Sequence, residues 1–103
     1  MVFIESKIFS RLLTDYLSDE EYRRLQSHLA VAPEAGAIIR GTGRIRKVRW
    51  GREGKGKSGG VRVIHNWQTS EDEIYLLTLY SKGEASDLSA EEKKTLKRMV
   101  ESW

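Results

Sequence analysis

The sequence predicts a single α+β domain in which two consecutive helices precede a small antiparallel sheet and a third helix follows it. The chain has 103 residues, a length that suits one domain with one hydrophobic core. Apolar residues recur at three- and four-residue steps near both ends of the chain, as in amphipathic helices, and strand-like runs lie between them. The predicted order of elements is therefore β-α-α-β-β-β-α, and we expect the helices to pack on one face of the sheet.

The first third of the chain predicts a strand followed by a helical hairpin. Residues 2–4 form an apolar run of branched and aromatic side chains, which is typical of a short strand. In residues 6–17 the apolar period becomes helical. Ser18 and Glu21 have the spacing of a capping box, so a second helix is expected to begin at once and form an antiparallel pair with the first. Pro33 predicts its end, because the residue before a proline is disfavoured in the helical conformation.

The middle of the chain predicts three strands joined as an antiparallel meander. Residues 44–50 are strand-like, but their apolar side chains fall on opposite faces, which indicates a bulge or a strand covered on both faces. Residues 51–60 are predicted to form a loop. Residues 61–67 alternate as a strand, in which His65 fits the edge of the core better than a catalytic role. Residues 74–80 are apolar on both faces, as in a central strand.

A second capping box predicts the start of the last helix. Ser89 and Glu92 have the same spacing as the first pair. The apolar stripe of this helix consists of Leu96, Met99, Val100 and Trp103. Its basic residues lie away from that stripe and are Lys93, Lys94, Lys97 and Arg98.

The composition excludes several classes of protein and of functional site. The chain is 39% hydrophobic and 32% charged, which is typical of a folded, soluble domain. It contains no cysteine, so a disulfide framework, a catalytic thiol and a zinc–thiolate site are excluded. Its two histidines lack the clustered acids of a metal site, and we expect no metal or other cofactor. The apolar runs are far shorter than the roughly 20 residues of a membrane span, and the first residues do not resemble a secretory leader. A cytoplasmic protein without a membrane partner is therefore expected.

Residues 40–62, here called the basic segment, concentrate the positive charge. They hold nine of the 18 basic residues and only one acid, whereas the net charge of the whole chain is +3. Seven of the nine glycines also lie here. Glycine lets a backbone come close to a ligand, so a cationic, glycine-rich segment favours binding of phosphates. The alternative is a solvated basic loop without a ligand.

Lysine and arginine without a carboxylate triad suit the cleavage of a phosphodiester bond in RNA. The guanidinium group of arginine forms a fork that binds two phosphate oxygens, so it can stabilise a pentavalent transition state. A lysine whose pKa is lowered by cationic neighbours can act as the base. RNA supplies its own nucleophile, the 2′-hydroxyl group. Arg62 lies on a strand with Lys57 before it and Lys82 after the next strand, so antiparallel pairing can bring all three to one rim of the sheet.

Two stretches of the sequence together resemble the RelE/HigB family of type II toxins. They are GTGRIRKVRWGREGKGKSGGVRVI and IYLLTLYSKGEASDLSAEE. The HigB-type branch is the most similar, since its members show K-G-K-x-G-G-x-R-[IV]-I and Y-x-K-x-E-x-x-D-L-S segments. The resemblance implies a RelE-like fold and a ribosome-dependent endoribonuclease that cuts mRNA in the A site of the 30S subunit. It also implies a cognate antitoxin, for which we expect a helix-turn-helix protein similar to HigA.

The resemblance also implies a set of site residues. The catalytic Lys/Arg group of the family corresponds to Lys47, Arg49, Lys57, Arg62 and Lys82. The sequence departs from some relatives at Gly83, where they carry arginine, and at Ser89, where they carry tyrosine. The acid that protonates the leaving 5′-oxygen is therefore assigned to Lys82 or Tyr80. Contacts with RNA and the ribosome are predicted for Arg40, Arg44, Arg46, Arg49, Trp50, Arg52 and Lys55.

Two other functions compete with the nuclease. The first is a ParE-like inhibitor of DNA gyrase on the same fold. The second is a non-catalytic, basic RNA-binding module. Such modules usually interleave cations with exposed aromatic side chains for base stacking, and Trp50 is the only good candidate here.

Overall fold

The computed structural model describes residues 1–52, 56–81 and 88–103 of the chain. In chain order the elements are β1 (Val2–Glu5), α1 (Lys7–Tyr16), α2 (Asp19–Val31), β2 (Ala37–Ile38), β3 (Arg46–Arg52), β4 (Gly56–Gln68), β5 (Glu73–Ser81) and α3 (Ala90–Ser102). This confirms the α+β class and the predicted order, to which the structure adds the two-residue strand β2.

The strands form one five-stranded sheet in the order β1-β5-β4-β3-β2. The meander of β3, β4 and β5 is antiparallel, as predicted, and β1 pairs with β5 in parallel. Strand β5 lies between β1 and β4, which confirms that the doubly apolar run is a central strand. A register shift in the β4–β5 ladder follows Ile64, and Leu77 falls between the paired residues there.

Serine residues begin the three helices of the described ranges. Ser6 accepts a hydrogen bond from the Phe9 N–H, and its own hydroxyl donates to the Leu77 carbonyl at 2.7 Å, which ties the start of α1 to the irregular part of β5. Both predicted capping boxes are present: Glu21 accepts from the Ser18 N–H at 2.7 Å, and the Ser89 box that begins α3 has the same arrangement. Each such cap stabilises its helix by about 1 kcal/mol.

The expectation that all helices pack on one face of the sheet is wrong. The α1–α2 hairpin covers one face through the hairpin core, which consists of Phe9, Leu17, Leu25, Leu29, Val48, Val61, Val63, Ile74, Leu76 and Leu79. Helix α3 covers the other face through the α3 core, which consists of Ile39, Ile45, Ile64, Tyr75, Leu77, Leu88 and Leu96. Because neighbouring strand residues point to opposite faces, the runs in β4 and β5 supply apolar side chains to both cores.

The predicted loop over residues 51–60 is also wrong, because β3 continues to Arg52 and β4 begins at Gly56. The ladder contains an irregularity between Trp50 and Arg52, and a bulge was one of the two alternatives that the sequence left open for this strand. A Cβ atom at Gly60 would come within 2.2 Å of the Trp50 carbonyl oxygen. At least this glycine therefore serves the close approach of two strands, which a loop does not require.

Candidate nucleic-acid interface

Three predicted site residues form one row across the sheet. Arg49 on β3 is paired with Arg62 on β4, and Arg62 is paired with Tyr80 on β5. Directly paired residues share a face and have Cβ atoms about 4.5–5.5 Å apart. Tyr80 packs against the α3 core, so the row lies on the face that α3 covers in part. The sequence alone placed Arg49 and Arg62 13 positions apart, and the register brings them together.

Arg62 is the buried member of the row. Its side chain is only 7% exposed, and among the residues that the structure describes its Nη1 atom has no hydrogen-bond partner. Paired like charges destabilise a sheet, and a buried donor without a partner costs further free energy. Both costs are offset when an anion binds between the two guanidinium groups. A phosphate fits this role because arginine binds phosphate oxygens through two parallel N–H groups.

Two more groups extend the row. Lys47 is paired with Ile64 and lies two residues before Arg49, so it is on the same face and about 7 Å along the strand. Its side chain is half-buried. The Tyr80 hydroxyl is buried. The row therefore combines three cations with the phenol of Tyr80, which can donate a hydrogen bond and can also give up its proton.

Several predicted residues lie outside the described part of the chain. These are Lys55 and Lys82, together with Gly83, at which the sequence departs from some relatives. Arg52 and Lys57 are on β3 and β4, but their side chains are also outside the description. Their roles stay predictions, as does the rim that Lys57 and Lys82 were expected to form with Arg62.

Arg46 and Trp50 lie on the opposite face from Arg62. Arg46 is paired with His65 and donates from Nη1 to the Gly36 carbonyl at 3.2 Å. Trp50 packs against the hairpin core, donates from Nε1 to the Glu21 carbonyl at 3.3 Å and stacks on His28 with ring centroids 5.2 Å apart. These contacts join β3 to α2 and to the connection that follows it. The structure thus separates two predicted RNA-binding residues from the arginine row.

Arg40 and Arg44 flank a tight turn between β2 and β3. The Ile39 N–H donates to the Ile45 carbonyl at 2.8 Å, and the Thr42 hydroxyl donates to the Ile39 carbonyl at 2.6 Å. Both arginine side chains are exposed. The turn therefore presents both side chains to solvent, Arg40 beside Lys47 and Arg44 beside Arg46 on the opposite face.

His65 is a structural residue, as the sequence favoured. It is fully buried, and its Nε2 donates to the Ala35 carbonyl at 3.0 Å, since a carbonyl oxygen can only accept. Burial lowers the pKa of His65 from 6.5 to about 4, and the positive charge of Arg46 acts in the same direction. The imidazole is therefore neutral at pH 7 and links β4 to the connection between α2 and β2.

No group of three or more histidine, cysteine, aspartate or glutamate side chains in the part of the chain that the structure describes could hold a metal ion. No helix within the same ranges has the length and apolar character needed to cross a membrane.

Sequence reasoning placed Lys93 only among the basic residues away from the apolar stripe of the last helix. The structure brings it beside Arg40 and Lys47, where the three line one cavity. The only signal in the sequence was a lysine just after the capping box, where it opposes the helix dipole.

The fold and the cationic row define a small α+β protein suited to binding phosphate. The family model described as RelE toxin of the RelE/RelB toxin–antitoxin system matches residues 5–103. The chain belongs to this family of toxins, whose members are generally endoribonucleases and have a cognate antitoxin. The RelE resemblance is thereby confirmed, and the closer similarity to the HigB-type branch stays a prediction.

Proposed function

We propose that this toxin is a metal-independent endoribonuclease that cleaves mRNA in the ribosomal A site and so inhibits translation. The observation that supports this most strongly is Arg62, a buried guanidinium group with an unpartnered Nη1 atom, in register with Arg49 and Tyr80. Family membership supports the general activity. The ribosome dependence and the A site come from the resemblance to HigB-type toxins.

The proposed reaction uses the RNA as its own nucleophile. The 2′-oxygen attacks the adjacent phosphorus, the bond from phosphorus to the 5′-oxygen breaks, and a 2′,3′-cyclic phosphate and a 5′-hydroxyl group result. Arg62 and Arg49 stabilise the charge that develops on the non-bridging oxygens. We assign the base that takes the 2′-hydroxyl proton to Lys47 or Lys57. The acid that protonates the 5′-oxygen is assigned to Tyr80 or Lys82.

Primer extension on mRNA, with and without ribosomes, tests the proposal. We expect wild-type protein to cut only ribosome-bound mRNA. Arg62→Ala should lose this activity, whereas Arg11→Ala, a matched charge change at an exposed position of α1, should retain it. Efficient cutting of free mRNA would contradict ribosome dependence. A protein with a ParE-like function would instead cut no mRNA and would inhibit the supercoiling of DNA by gyrase.

The product ends test the chemistry separately. A 2′,3′-cyclic phosphate, or the 3′-phosphate formed from it, should accompany a 5′-hydroxyl group. This readout is cleaner than chelation, because ribosomes themselves need magnesium. A 5′-phosphate on the downstream fragment would contradict attack by the 2′-hydroxyl group.

The cognate antitoxin is expected to be a helix-turn-helix protein similar to HigA that blocks entry to the ribosome sterically. Direct capture of so many separated cations would need an unusually acidic partner. The hairpin or the edge of the sheet offers another docking surface, and Val31 at the end of α2 is 88% exposed. Hydrogen exchange with and without the antitoxin should show protection there. Protection confined to residues 44–62 and 80–84 would instead mean that the antitoxin plugs the active site.

A further inference from the structure

A cationic cavity lies beside the arginine row. Its volume is about 180 Å³, and its lining residues are Ala37, Ile38, Ile39, Arg40, Lys47 and Lys93. The three cations come from separate parts of the chain: the turn after β2, the start of β3 and the second turn of α3. No carboxylate is among the lining residues. The cavity is therefore a concave site of one sign of charge, which concentrates anions.

The position of Lys47 connects this cavity to the proposed active site. Lys47 lies two residues before Arg49 on the same face of β3, at a separation of about 7 Å. This spacing is comparable to that of neighbouring phosphates along an extended nucleic-acid strand. One strand of RNA can therefore contact Arg62 and the cavity at the same time.

Stability does not explain two of the cations of the cavity, Arg40 and Lys93. Within the described ranges, no carboxylate lies within salt-bridge distance of Arg40 or Lys93. Lys93 is half-buried and follows the first turn of α3, where a positive charge opposes the helix dipole. The nearby Glu92 is engaged in the capping box, in which it accepts from the Ser89 N–H at 2.8 Å. In the unliganded fold these two cations therefore have no described ion pair, and the helix dipole makes the position of Lys93 unfavourable, so a bound anion would stabilise them.

We propose that Arg40, Lys47 and Lys93 form a second phosphate subsite, which binds the RNA backbone beside the phosphate held at Arg62. The inference rests on the proposed function and adds Lys93 of α3 as a binding residue. The subsite contacts only the backbone, so it contributes affinity without base specificity. Loss of Arg40 or Lys93 should raise the KM for cleavage and leave kcat nearly unchanged, since their contact is equal in the ground and transition states, whereas Lys47 is also a candidate for the base.

Lys93→Ala and Lys94→Ala form the matched pair for the test, because Lys94 is the next residue of α3 and does not line the cavity. Binding is measured over a series of salt concentrations, with mRNA that carries a 2′-deoxy group at the scissile position and cannot be cut. For ribosomes programmed with this mRNA, Lys93→Ala should reduce the slope of log affinity against log salt by about 0.7–1. Lys93→Arg should retain the wild-type slope, and Lys94→Ala should change it less.

Two further arms identify the source of the phosphate. An effect of Lys93→Ala on binding to ribosomes without mRNA would assign the phosphate to ribosomal RNA. An effect only on programmed ribosomes would assign it to the mRNA, and both results support the subsite. Equal slopes for Lys93→Ala and Lys94→Ala would overturn it, as would an effect of Lys93→Ala on antitoxin binding alone.

Failure of the subsite and failure of the proposed function are distinguishable. If Lys93→Ala behaves like Lys94→Ala while the wild type still cuts and Arg62→Ala does not, only the subsite is refuted. If the wild type cuts no mRNA but Lys93→Ala still reduces the salt slope, the nuclease proposal fails and the RNA-binding subsite stands.

Discussion

The two faces of the sheet differ in what their side chains contact. On the hairpin face, Trp50 and His65 donate to carbonyl groups of α2 and of the connection that follows it. On the α3 face, the apolar contacts with α3 lie beside a row of cations that includes the buried Arg62. Adjacent residues of the same strands supply both surfaces. We therefore expect one face mainly to stabilise the fold and the other, under the proposed function, mainly to bind the ligand, so substitutions should separate stability from activity.

The largest expected effect is a loss of stability on the hairpin face. Phe9 is fully buried against the sheet and lies 5.9 Å from the ring of Tyr22, centroid to centroid. Phe9→Ala should lower the free energy of unfolding by about 3–5 kcal/mol, because it removes apolar contacts and leaves a cavity. Urea denaturation measures the loss, and cleavage per folded molecule should be nearly unchanged. A loss below about 1 kcal/mol would contradict the role of this face.

The matching change on the α3 face is Arg62→Ala. We expect cleavage of ribosome-bound mRNA to fall by about 10²–10³-fold, the usual loss for one donor to a transition-state oxyanion. The fold should persist, since the change removes a buried cation rather than an apolar contact. Circular dichroism and a urea titration of the same sample provide the control. Unchanged cleavage by the folded variant would refute the assignment of Arg62.

The pH dependence of stability tests the role of His65 on the hairpin face. Between its folded pKa of about 4 and its unfolded pKa of 6.5, the unfolded chain binds a proton that the folded chain does not. The free energy of unfolding should therefore fall as pH decreases through this window, by roughly 3 kcal/mol in total. His65→Gln should remove most of this dependence. His28→Gln, at the exposed histidine, should retain it, and equal pH profiles for the two variants would contradict the assignment.

The smallest expected effects come from the two capping boxes, one on each face. Ser18→Ala and Ser89→Ala should each lower the free energy of unfolding by about 1 kcal/mol, because each leaves a backbone N–H without its acceptor. Neither should reduce cleavage per folded molecule. Ser27→Ala, an exposed position inside α2, is the control and should not destabilise the protein. A tenfold loss of cleavage in Ser89→Ala alone would show that α3 takes a larger part in the site than we infer.

The sequence by itself determined the local features of this protein. Capping boxes at Ser18 and Ser89 begin helices where the spacing predicted them, and the apolar run of β5 lies in the middle of the sheet. An irregularity in β3 was one of the two alternatives that the sequence left open. Each of these features depends on side chains within a few positions of one another, so a short window of sequence contains the physical cause.

Only the tertiary structure decided which side chains meet. The pairing of Arg49 with Arg62 depends on strand register, and the place of Lys93 beside Lys47 depends on the face to which α3 docks. From the sequence, Trp50 was a candidate for base stacking, whereas in the fold it contacts α2. Burial of apolar side chains has no preferred direction. Strands β4 and β5 are apolar on both faces, so their sequences are compatible with helices on one face of the sheet or on both. The choice between these arrangements is made by contacts between residues that are far apart in the chain.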